Sequence, residues 1–365
     1  MLRRRNLLAA PAAAPLAAPV RARAQGERVL NVYSARHYDS DRTLYDGFAA
    51  ATGVRVRVIE APADQLIERI RAEGRNSPAD ILLTVDAARL ERAREAGVLR
   101  PVRSEVLEAR VPAPLREPAG HWFGVSKRVR VLLHDRARGA PAGLARYEDL
   151  ARPELRGAVL TRSSGNIYSI GWTASVLAAN GPDATEAWAR GVVANLARPP
   201  AGGDTDQIRA VAAGQGAVAV ANTSYWGLLA RSERAEDRAV AERTAVLWPN
   251  QGEGDRGAHA NIAGAGVCAS APNADAARLF LEHLTGEAAQ RLFAEGNMEF
   301  PVVPGVPVHP LLARRGPDRG GPLPGSVRRR AAADAARGLA LSGRRSISLP
   351  WPGIFPSATS PARRA

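Results

Sequence analysis

One cysteine among 365 residues, Cys268, excludes a disulfide within the chain. It lies in the apolar run NIAGAGVCAS, where a thiol acts as a small buried hydrophobe. No cysteine stands near the N-terminal processing signal described below, which argues against a lipid-anchored start. Past the leader, no apolar run is long enough to span a bilayer. Nucleophile-elbow, HExxH and P-loop motifs are all missing, and His121 and His134 lie on extended segments with no evident partner, so no enzyme is expected. Internal repeats are absent too. The body also lacks net charge. Five arginines in 1–24, and eleven arginines against two aspartates in 301–365, account for the whole formal charge of +14, so 25–300 is neutral. A neutral body has no basic footprint for nucleic acid.

What is present begins with an export signal over 1–24. MLRRRNLL gives a basic start, Leu7–Val20 an apolar stretch, and Ala22-Arg23-Ala24 an A-x-A cleavage site. The arginines before Asn6 suggest the twin-arginine route. A soluble periplasmic protein is the expectation. The body alternates strands and helices. Val29–Tyr33, Val54–Val58 and Ile81–Val85 read as strands, each followed by a helical segment. Three such units in a row predict a parallel sheet with helices on both faces. Further strands are expected at Gly157–Thr161, Ala217–Ala221, Ala245–Trp248 and Ile262–Ala269. Helices are expected near 168–180, 183–196 and 205–213, the last opened by Asp204 with Gln207 three residues on. Asn273–Leu284 and Thr285–Glu295 close the body as helices. Two α/β lobes joined by extended crossings near 122–133 and 245–262 fit this order. The expected division is a first lobe over 25–125 plus 255–300, a second over 126–254, and a C-terminal segment over 301–365.

Such a fold places ligands in a cleft at strand C-termini. Three tyrosines occupy that position: Tyr38 in YSARHYDSD, Tyr168 in TRSSGNIYS and Tyr225 in ANTSYWG. A phenol, with its usual pKa near 10, is a poor ligand for most divalent ions. A small, highly charged cation stabilises the phenolate, and hard oxygen donors suit hard ions. Three phenolates would neutralise Fe3+. His37 could add a nitrogen donor or orient Tyr38. Ser163, Ser164, Gly165 and Asn166, at a helix start, could bind an anion through backbone N–H groups or act as a plain N-cap. Asp86 reads as the N-cap of the helix that follows it.

The segments LNVYSARHYDSD, ADILLTVDAARLERAREAGVL, TRSSGNIYS, GGDTDQIRAVAAGQGAVAVANTSYWG, RGAHANIAGAGV and FPVVPGV run in order from about Leu30 to Val306. Together they resemble the periplasmic ferric iron-binding proteins of the iron(III) ABC-transporter family. The resemblance implies a two-lobed, type II periplasmic-binding fold that closes on Fe3+ and delivers it to an inner-membrane permease. It implies a ligand at Tyr38, preceded by His37, a second at Tyr168, and a tyrosine pair falling on Ser224 and Tyr225. The first member of that pair is therefore a serine here. His37, water or an anion such as carbonate could complete the shell. A monomer is expected. The competing reading keeps the fold and changes the cargo to an organic cation such as a polyamine or thiamine, or to a phosphonate. Trp226 would stack on such a cation, with Asp86 and Asp204 as the acidic groups. After about Leu311 the family-like sequence gives way to an Arg-, Pro-, Gly- and Ala-rich tail, expected to be mostly disordered, whether a replaced C-terminus or a basic arm.

Overall fold

The computed structural model describes residues 28–313; the export signal and nearly all of the tail expected to be disordered lie outside the described residues. Within them, the chain begins with β1 (Val29–Ser34), α1 (Asp41–Thr52), β2 (Arg55–Glu60), α2 (Ala63–Glu73), β3 (Ile81–Thr84), α3 (Ala87–Glu95) and α4 (Glu105–Arg110). Alternation along the strands sends side chains to two faces. Leu30, Val32, Ile81 and Leu83 enter one core with Leu44 and Phe48 of α1. Tyr33 and Leu82 enter the other with Leu66, Ile67 and Ile70 of α2 and Leu90 of α3. Each fully buried leucine or phenylalanine stabilises the lobe by about 1.5–3 kcal/mol.

The long strand β4 (Phe123–Asp135) then runs from one lobe into the other. The second lobe follows: β5 (Val159–Leu160), α5 (Ile167–Asn180), α6 (Pro182–Ala194), α7 (Asp204–Ala212), β6 (Val218–Asn222), α8 (Thr223–Arg231), α9 (Ala235–Arg243) and β7 (Thr244–Leu247). It too has a core on each sheet face, one around Ile208, Trp226 and Leu229, the other around Tyr147, Trp172 and Trp188. The chain returns along β8 (Ala260–Val267), adds α10 (Ala274–Leu284) and α11 (Glu287–Gly296) to the first lobe, and ends in β9 (Phe300–Pro301) and α12 (Pro310–Ala313).

The strands form one continuous path, β2-β1-β3-β8-β4-β6-β5, with β7 and β9 also on β4. The parallel arrangement expected from the βα units holds for β2-β1-β3. β8 and β4 are antiparallel to their neighbours because they arrive as crossings from the other lobe. The first half of β4 pairs with β8 and its second half, from Arg130, pairs with β6 and β7. The sequence reading has two crossings; the structure has a third, at Asn297–Phe300. Asn297 donates to Asp41 in the first lobe, whereas Met298 and Phe300, read from sequence as first-lobe residues, pack in the second-lobe core. Met298 adopts a left-handed backbone, φ 53, and lies so close to α8 that a Cβ at Gly227 would come within 2.8 Å of it. Only glycine fits there.

Candidate functional site

Tyr38 sits on the loop between β1 and α1. The loop is braced from beneath by Arg36, which is buried and holds Asp41 at 2.7 and 3.1 Å. The Arg36 guanidinium also lies 4.8 Å from the centre of the Tyr38 ring. The exposed His37 ring stacks on Tyr38, with centroids 5.5 Å apart and planes at 14°. Tyr38 is thus clamped between a buried cation and an imidazole that faces the cleft.

Tyr168 and Tyr225 stand in the first turns of α5 and α8. Asn166 caps α5 by accepting from the Tyr168 N–H at 3.0 Å. Ser163 accepts from the Gly165 N–H at 3.3 Å. The turn therefore serves as an N-cap, while Gly165 and Asn166 also line the cleft. Thr223 at the start of α8 accepts from the Val129 N–H at 3.2 Å and fastens the helix to β4. The Tyr168 and Tyr225 rings lie 6.4 Å apart at 59°.

Tyr225 lies against Tyr168, and Tyr38 and Tyr168 meet over Arg128. Its Nη1 donates to the Tyr38 hydroxyl at 3.2 Å and to the Tyr168 hydroxyl at 3.4 Å, one from each lobe. Its Nη2 donates to the Val85 carbonyl at 2.5 Å and to Asn261 at 3.2 Å. Arg128 and Arg130 alternate with Lys127 and Val129, so both project from one face of β4. Arg130 holds Asp204 at 2.5 Å. Glu299, on the third crossing, lies 3.3 Å from Arg36 and 3.5 Å from Arg128. Sequence reading missed Arg128 and Glu299. Two arginines two apart, alternating with the valines of KRVRVLL, are the signal that could have found Arg128.

Burial pushes the Tyr38 phenol well above its usual range, and Arg128 opposes the shift. Burial, then the neighbouring Tyr168 and Tyr38 and the Asp204 carboxylate, push the Tyr225 phenol up further. Such phenols ionise only against a strong cation. Among the described residues, no group of three or more His, Cys, Asp or Glu side chains is placed to hold a metal ion. The donors that converge in the cleft are phenol oxygens, which select hard ions of high charge. The Ser224 hydroxyl, beside Tyr225, is buried and has no hydrogen-bond partner among the described residues. A space of ≈ 550 Å³ opens beside Tyr168 and Tyr225, lined also by Arg162 from the second lobe and by Arg36, His37 and Arg89 from the first.

The groups proposed for an organic cation are otherwise engaged. Trp226 is buried in the second-lobe core and donates to Thr244 at 3.1 Å, so it cannot stack on a ligand. Asp204 does not cap α7, whose N-cap is Gly203. Its carboxylate instead accepts from Arg130, Arg162 and the Asn222 N–H, a better set of donors than one helix turn offers. Asp86 caps α3, as expected, and accepts from Asn261 at 2.7 Å. His121 does have a partner, Glu117 at 2.9 Å, but neither residue lines the cleft.

A family model for bacterial extracellular solute-binding proteins matches residues 31–297. Iron uptake protein A2 of Synechocystis is 50% identical over 319 residues, covering 87% of this chain and 90% of that protein. The major ferric iron-binding protein of Neisseria meningitidis is 26% identical over 282 residues, covering 76% of this chain and 82% of its own. Among solved structures, a Trichodesmium protein in complex with iron and citrate ligands is 47% identical with a TM-score of 0.75, covering 86% of this chain and 99% of that one. A ferric binding protein from Campylobacter jejuni is 36% identical with a TM-score of 0.78, covering 86% and 98%.

Proposed function

The chain belongs to the family of bacterial extracellular solute-binding proteins, and on that premise we propose that it captures ferric iron in the cleft and delivers it to an ABC-transporter permease. The observation that carries the reading is the meeting of Tyr38 and Tyr168, from opposite lobes, on one nitrogen of Arg128. Tyr225 completes a set of three hard oxygen donors. Fe3+ displaces their protons, and three phenolates neutralise its charge. With Ser224 in place of a fourth phenol, the remaining coordination positions fall to His37, water or an anion such as citrate or carbonate, for which the ≈ 550 Å³ cleft has room. Of the turn Ser163, Ser164, Gly165 and Asn166, the last two form the rim of that anion space.

Capture and release follow from the two lobes. An open form takes up the ion, and closure brings Tyr38 against Tyr168 and Tyr225, because only the closed form offers donors from both sides. The protein works as a carrier rather than a catalyst, in the periplasm and as a monomer. Its lobes divide at the crossings, with 28–125 and 255–297 on one side and 126–254, joined by Met298 and Phe300, on the other.

Metal-stripped protein titrated with ferric citrate tests this reading. A phenolate-to-iron charge-transfer band that saturates at one equivalent is the expected result. A folded protein that develops no band with bicarbonate supplied would overturn it.

A further inference from the structure

The tyrosines supply the donors, but capture alone leaves the charges beneath them unexplained. Arg36 and Arg128 are at most 1% exposed, and each lies against a site tyrosine. Two carboxylates, also buried, answer them. Asp41 pairs with Arg36. Glu299 sits between both guanidiniums, at 3.3 and 3.5 Å. Its Oε1 accepts no hydrogen bond among the described residues, so it faces Arg128 as a charge. These two cations and two anions balance. The buried Asp86, tied to Arg128 through Asn261, is answered by Arg89. The other partner of Arg89, Asp64, is partly exposed and screened by solvent, so this layer is neutral. The second-lobe side adds the buried Arg130–Asp204 pair, also neutral, and Arg162, whose partly exposed side chain is screened by solvent.

Resting on the ferric reading above, we propose that Glu299 sets the valence of the cargo. A trivalent ion on three phenolates is a neutral unit, any anion beside it lies in the open cleft against Arg89 and Arg162, and a neutral layer beneath leaves no net charge buried. A divalent ion on the same donors leaves one negative charge in a low-dielectric site, which is costly. Ser224 belongs to the same balance, since a fourth phenolate there would leave the trivalent complex negative. Glu299 acts through the two arginines and is a positioning residue, delivered to the site by the third crossing.

Glu299→Gln keeps the shape and removes the charge. Metal-stripped protein is titrated with Fe3+ as its citrate complex and, anaerobically, with Fe2+, and the ratio of the two dissociation constants is read. The variant should shift the ratio toward Fe2+ by about tenfold or more. Arg36→Gln removes the opposite charge and should shift it the other way. Arg36→Gln/Glu299→Gln should return it toward the original value, and these two variants carry the test if Glu299→Gln does not fold. A ratio unchanged across the folded variants would overturn the inference. An unsubstituted protein that binds no Fe3+ would instead overturn the ferric reading beneath it.

Discussion

The two lobes present their tyrosines by different means. In the second lobe, Tyr168 and Tyr225 stand in the first turns of α5 and α8; the Asn166 cap fixes the first, and Thr223 fastens the second to β4. In the first lobe, Tyr38 lies on a loop with no helix beneath it, held by Arg36, Asp41 and Glu299. Helix starts and one bond to the adjoining strand β4 place the second-lobe donors. The first-lobe donor depends on buried charges, one of which, Glu299, comes from a distant segment. One half of the site is therefore largely pre-built, and the other is assembled by tertiary contacts.

Removing Arg36 should break this contrast most severely. Arg36→Ala leaves Asp41 buried without its cation and Glu299 with Arg128 alone, and should cost about 3–5 kcal/mol of stability by denaturant unfolding. Arg130→Ala, the second-lobe counterpart, should cost less, because Asp204 keeps Arg162 and the Asn222 N–H.

Acid probes the second-lobe side of the return crossing. His259 precedes β8, and its backbone N–H donates to the Tyr147 hydroxyl. Burial, with Arg130 and Arg256 nearby, lowers its pKa to about 4. The folded protein holds this imidazole neutral, while the unfolded chain takes up a proton near pH 6.5. Stability should therefore be complete above pH 6.5 and fall as the pH drops toward 4, by about 3 kcal/mol. Denaturant midpoints across that range check it, and His259→Gln should flatten the slope.

The smallest effect belongs to a cap. Asn166→Ala should cost about 1 kcal/mol by loss of the Tyr168 N–H bond. A cost much above that would mean the second-lobe turn is not self-sufficient, and the contrast between lobes would weaken.

The parts of the fold that were legible in sequence are the local ones. Tyr38, Tyr168 and Tyr225 could be read as strand-end residues because strand period and helix starts are short-range signals. The antiparallel run of β8 and β4 and the third crossing could not, since they depend on how the chain returns between lobes. Asp204 was misread as a cap because its arginine partners lie far along the chain. Trp226 was misread as a ligand-stacking residue because sequence does not say which side of α8 faces the core. Glu299 carries no local signal at all; its role exists only where three distant segments meet.

The central claim is that one iron is held by phenolates from both lobes. It is tested most directly by the charge-transfer absorbance per bound iron in Tyr38→Phe, Tyr168→Phe and Tyr225→Phe. Each variant should lose about one third of the band. Affinity should fall by more than the ~100-fold that loss of a supporting partner costs. An undiminished band in Tyr38→Phe would place the iron on the second lobe alone and contradict the account.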